Sequence, residues 1–123
     1  MRIFAVVCQV VIALGVCNVW LLRSGKSTRW RPEGAGSMAE EFRRYGFPDW
    51  MRTFAGAAKL VVAVLLILGI WYPPLAVVAG LAMALLMAVA VGAHLKVGDP
   101  LLKSLPSFML LLLSLFVAYA NSL

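Results

Sequence analysis

Charge is scarce in this chain: Asp, Glu, Lys and Arg make up only 13% of its 123 residues, and the single histidine is His94. A soluble domain of this length needs a mostly polar surface, and so few polar side chains cannot cover one. Cysteine is confined to Cys8 and Cys17. On one helix that spacing turns them about 180° from each other and separates them by roughly 13 Å, so they cannot pair. There is no C-x-x-C dithiol, no glycine-rich phosphate loop, no zinc signature and no nucleophile and base at a recognisable spacing. These absences weigh against a thiol-disulfide enzyme, a nucleotide-dependent enzyme and a metal centre.

What is present is apolar. Hydrophobic residues are 63% of the chain and fall into several runs near twenty residues long, the composition of an integral membrane protein. A single membrane domain over residues 1–123 is expected. The formal net charge is +6, yet seven of the eleven Lys and Arg lie between Arg23 and Arg52, beside membrane spans. Anionic lipid headgroups, and not nucleic acid, are the expected counter-charge.

The first span is expected at 3–22, interrupted only by Gln9 and Asn18, which should bond to other helices. No small-x-small cleavage site precedes Arg23, so this segment reads as a retained helix. Residues 23–52 form a polar connection. Within it, Ser37 and Glu40 fit a capping box, and a short amphipathic helix from Met38 to Tyr45 should end at Gly46 and Pro48 and lie on the membrane surface. The second span is expected at 53–72 with one charge, Lys59. Pro73-Pro74 then forms a connection of almost no length, so the third span, 75–94, returns beside the second as an antiparallel hairpin. On the third span Ala76, Gly80, Ala84, Ala88 and Gly92 recur every four residues, a small-residue face suited to close helix packing, internal or between copies. The fourth span is expected at 101–121, with Asp99 as N-cap, Pro100 at the first helical position and Pro106 in the first turns. The fold class is therefore all-α, a four-helix membrane bundle with a surface helix between spans one and two.

Lys and Arg crowd the first connection and reappear at Lys96 and Lys103, whereas the Pro73-Pro74 turn and the C-terminus carry none. Both polar connections should face the cytoplasm and both termini the other side. Lys59 precedes Pro73 by fourteen residues and His94 follows Pro74 by twenty, which puts His94 several ångströms nearer that surface. The candidate ligand-binding residues, Lys59, His94, Asp99, Arg52 and Glu40, thus gather at one end of the bundle. Three of them also have a plain structural role. The stem of Lys59 can reach the interface, His94 can be a hydrogen-bonding residue at a helix end, and Asp99 can cap a helix. No catalytic residue and no metal ligand set emerges.

Phe42-x-x-Tyr45-Gly46-Phe47-Pro48-x-Trp50, Ala55-Gly56-Ala57-Ala58-Lys59, the proline turn and His94-x-x-x-Gly98-Asp99-Pro100 together resemble DoxX-like membrane proteins. That broad group includes the animal chaperone of nicotinic receptors, to whose corresponding segment His94–Leu101 is similar. Many members carry an acidic residue where Lys59 stands, which sets this chain apart at that position. The resemblance implies a four-helix fold and two roles: a non-enzymatic accessory or assembly factor for other membrane proteins, or a quinone-associated subunit of a thiosulfate:quinone type oxidoreductase with His94 and Lys59 at the quinone. The expected partners are the lipid bilayer and another membrane protein or a second copy of the chain, with no nucleic acid. The first role requires no cofactor and the second brings a quinone. A small-molecule or ion conduit ranks behind both, because no acidic residue lies within the spans. The expected location is a bacterial cytoplasmic membrane.

Overall fold

The structure is a computed structural model that describes residues 2–22, 37, 40, 42–43, 46–96, 98 and 104–123. Four helices dominate it: α1 (Arg2–Cys17), continued by a π-helical turn (Asn18–Leu22), α2 (Asp49–Leu68), α3 (Pro73–Lys96) and α4 (Leu105–Ser122). All four segments are long and apolar enough to cross a bilayer. In hydrocarbon no water satisfies backbone N–H and C=O groups, and a helix closes them internally. The chain is an all-α, four-helix integral membrane protein.

The helices run up, down, up and down in a ring. α1 packs on α2 and α4, α3 packs on α2 and α4, and the α3/α4 contact is the most extensive. The centre is apolar and fully enclosed around Ile12, Leu66, Met83 and Val117, while Phe4, Leu14, Val61, Val78 and Leu85 point outward as lipid-facing residues do. Small residues set the helix spacing at two points. A Cβ on Gly80 would lie 2.9 Å from the Ser114 carbonyl oxygen, and one on Gly69 would lie 2.8 Å from the Ala76 Cβ. α3 and α4 therefore approach backbone to backbone, which gives dispersion contacts that lipid cannot replace.

The α2/α3 hairpin differs from its sequence expectation. Gly69–Tyr72 makes the connection, with Gly69 N–H bonded to Leu65 O, Ile70 N–H to Ile67 O and Trp71 N–H to Leu68 O. Pro73 and Pro74 sit inside the first turn of α3 instead of forming the turn themselves. The first helical turn has no intrahelical partner for its N–H groups, so proline loses nothing there and its fixed φ favours the helix. α2 likewise starts earlier than position 53, directly after Pro48.

Side chains of α1 fasten this end. Gln9 is completely buried, and its Nε2 donates to Leu66 O at 2.7 Å. Asn121 of α4 donates from Nδ2 to Gln9 Oε1 at 3.3 Å and to Val117 O at 2.9 Å. Arg2 donates from Nη2 to Ile70 O. The Gln9 expectation is met, and one buried amide links three helices. α4 begins at Leu105 with Ser104 at its N-cap and Pro106 in the first turn. The expected Asp99 cap and the start at Leu101 lie outside the described residues.

Candidate functional site

Away from the Gln9 network, Lys59 and several aromatic rings gather around Trp20. Trp20 lies on the π-helical turn that ends the first span. Such a turn admits an extra residue and redirects the side chains that follow, a distortion frequent at functional sites. The six-membered ring of the indole packs against α2 at Gly56, where a Cβ would come to 2.6 Å from Trp20 Cε3. Only glycine leaves room for the ring. Three residues further along α2, Lys59 Nζ stands over the same indole, 5.1 Å from its centroid. Lys59 is therefore drawn onto a neighbouring π face, a contact that contributes roughly 0.5–1 kcal/mol at an exposed site and about 2 kcal/mol or more when desolvated.

A second set of rings continues from the first connection. Glu40, Phe42 and Arg43 are helical, and Glu40 N–H donates to Ser37 Oγ at 3.3 Å, the N-cap half of the expected capping box. Gly46 has φ +81°, Gly46 N–H bonds to Arg43 O and Phe47 N–H to Phe42 O, each at 3.0 Å. This is a Schellman ending, which closes the last open carbonyls and requires a left-handed residue that glycine supplies. The accompanying apolar contact is Phe42 with Phe47, ring centroids 6.0 Å apart, and Phe42 also meets Trp20 edge-on at 5.9 Å. Phe42 is buried. Phe42 thus faces inward onto the bundle, where the sequence had suggested a face laid on lipid; Met38 and Tyr45, the other residues of that face, lie outside the described residues. Lys96, in the last turn of α3, closes the series with Nζ 5.2 Å from the Phe47 centroid.

The five ligand-site candidates are distributed unequally about these rings. Lys59 is among them. His94 is 5% exposed, two residues before Lys96. Arg52 is half-buried on α2, three residues before Ala55, and Glu40 is exposed. Asp99 lies outside the described residues. The small-residue face of α3 divides: Ala76, Gly80 and Ala84 are buried, Ala76 against Gly69 and Gly80 against α4, while Ala88 and Gly92 are exposed, and a Cβ on Gly92 would meet nothing within 4 Å among the described residues. Among the described residues no three His, Cys, Asp or Glu side chains gather as a metal site, and both cysteines are free thiols.

Trp20 was not singled out by the sequence, and Phe47 entered it only as part of the family-like motif and not as a candidate site residue. Their partners are separated from them by up to about fifty positions, and no helical period reports a ring from α1 seated on a glycine of α2. The available signal was Gly56 itself, a glycine inside an otherwise regular helix that calls for a packing reason.

No curated protein and no solved structure matches the chain. A family model described as the DoxX-like family matches residues 32–117. That segment takes in Phe42, Phe47, Gly56, Lys59, His94 and Lys96, well over half of the sequence, and the chain belongs to the DoxX-like family.

Proposed function

We propose that this DoxX-like protein is a non-enzymatic accessory or assembly factor for other membrane proteins. The observation that carries the reading is the seating of Trp20 on Gly56, with Lys59 over its face and Phe42 at its edge. These contacts engage Lys59 within the protein, which supports a packing role for it. The buried polar groups at the other end are likewise turned inward, as Gln9 holds Leu66 O and Asn121. Outward, Ala88 and Gly92 offer a stretch of α3 where a neighbouring helix backbone can come close, and that is a surface for a second membrane protein or another copy of the chain. The concentration of Lys and Arg beside the ring cluster supports a cytoplasmic position for that end, in a bacterial cytoplasmic membrane.

The test compares the membrane proteome of cells with and without the protein. A specific membrane protein should lose abundance in its absence. Wild type should restore it and Gly92→Leu should not, although Gly92→Leu should be as stable as wild type after purification. An unchanged proteome sinks the proposal. The second reading, a quinone-associated subunit, draws on the burial of His94 on the helix next to Lys59. It is favoured only if a short-chain quinone raises the melting temperature of wild type and not of Lys59→Gln.

A further inference from the structure

We propose that Arg2, Trp71 and Tyr72 form a headgroup site for an anionic phospholipid, in the leaflet at the α2/α3 turn. Residues from distant parts of the chain meet there through one contact. Arg2, at the start of α1, donates from Nη2 to Ile70 O, and Trp71 and Tyr72 are the next residues of the turn. The carbonyls at the C-terminal end of α2 carry partial negative charge and favour a cation, which accounts for the bond. It also holds the guanidinium in one place, so less side-chain entropy is lost when a ligand arrives.

A neutral carbonyl does not balance the charge of Arg2. Residues 1–32, 50–98 and 100–123 contain no Asp or Glu, so every segment that builds this end lacks a carboxylate side chain. Arg2 is exposed, and about 10 Å of helix separates it from Gln9, which puts the guanidinium outside the buried amide network. Ile70 O takes one of its N–H groups, and the planar fork of the others matches a phosphate. The turn brings few donors of its own, because Pro73 and Pro74 have no N–H. Trp71 is 76% exposed and Tyr72 62%, and such rings with a polar tip settle at headgroup depth, level with lipid phosphates. The Tyr72 hydroxyl adds a donor there. Ile3 and Phe4, the exposed residues that follow Arg2 on α1, offer apolar surface to the acyl chains of the same lipid. A phosphate carried on acyl chains therefore satisfies both halves of the site.

The experiment uses the full chain with isotopically labelled tryptophan in dodecyl maltoside micelles, which carry no phosphate. The readout is the indole nuclear magnetic resonance signal of Trp71, assigned with Trp71→Phe, during titration with dihexanoyl phosphatidylglycerol. Wild type should show a saturable shift. Arg2→Gln should need a roughly ten- to hundredfold higher lipid concentration for the same shift, the factor expected for one lost charge-assisted hydrogen bond. Arg2→Lys, which keeps the charge, should fall between the two. The Trp50 signal, at the far end of α2, should respond alike in all three proteins, and an unmoved Trp20 signal shows that each is folded. Dihexanoylglycerol has the chains without the phosphate and glycerol phosphate has the phosphate without the chains; each should leave Trp71 of the wild type where it is. The same titration curve for wild type, Arg2→Lys and Arg2→Gln overturns the site. A wild type that does not respond to phosphatidylglycerol, or that responds equally to dihexanoylglycerol or to glycerol phosphate, overturns the phospholipid, and these arms need no variant to fold.

Discussion

Gln9 of α1 and Leu66 of α2 are joined by a 2.7 Å hydrogen bond from the side-chain amide to the main-chain carbonyl, with Gln9 completely buried. Leu66 lies in the last turn of its helix, and the N–H that a continuing helix would send to it, that of Ile70, bonds to Ile67 O instead. An open carbonyl in a lipid environment is expensive, and the glutamine of another helix satisfies it. A polar residue inside a span thus acts as a helix C-cap from outside the helix.

Replacing that amide should be felt globally. Gln9→Leu is expected to destabilise the bundle by about 1–2 kcal/mol, because the Leu66 carbonyl is left buried without its partner. Thermal unfolding in a fixed detergent measures it. A cycle with Asn121→Ala should show a coupling of about 0.5 kcal/mol through the 3.3 Å bond from Asn121 to Gln9. Strict additivity would mean that the two side chains do not act together.

Gly56→Ala places a methyl group within 2.6 Å of the Trp20 ring, so the indole must move. The expected loss is about 1–3 kcal/mol, the usual range for overpacking. Trp20→Phe, which presents a smaller ring, should by itself cost packing yet recover part of the loss when combined with Gly56→Ala. If Gly56→Ala melts with wild type and leaves the tryptophan emission unchanged, the seating of Trp20 is not as described.

Two glycines of α3 make an internal control. Gly80→Ala drives a Cβ to 2.9 Å from the Ser114 carbonyl and 3.1 Å from Ala118 N, both backbone atoms of α4 that cannot yield without separating the helices. Gly92→Ala meets nothing within 4 Å. The first should lower stability by about 1–3 kcal/mol, and the second should leave it unchanged or raise it by up to about 1 kcal/mol through helix propensity. Unfolding by sodium dodecyl sulfate orders the variants, and the reverse order would contradict the helix arrangement.

Gly46→Ala tests the turn closed by the Phe47 N–H bond to Phe42 O. The added methyl would stand 3.6 Å from Lys96 Nζ, an ordinary contact, so the penalty comes from φ +81° alone. A destabilisation of about 1–2 kcal/mol is expected for a side chain in the left-handed region. Hydrogen exchange at the Phe47 amide, whose bond to Phe42 O closes the turn, should accelerate locally while α2 and α3 keep their protection.

The four spans, their alternation and the turn at Gly46 were legible from the amino-acid order, because twenty-residue apolar runs and a glycine after a capped helix are local signals that hydrocarbon and backbone sterics enforce directly. That Lys59 lies deeper than His94 followed from the same counting, although the early start of α2 at Asp49 puts Lys59 at the middle of its helix. Its partner did not. That Lys59 lies over Trp20, that Trp20 rests on Gly56 and that Phe42 faces inward depend on which helices are neighbours and how each is rotated. The α3 stripe makes the point within one element: its five small residues are equivalent in spacing, yet α4 covers Gly80 and nothing among the described residues covers Gly92. Spacing along a helix is a property of one chain segment, whereas contact is decided by the segment packed against it, and only the tertiary structure holds that information.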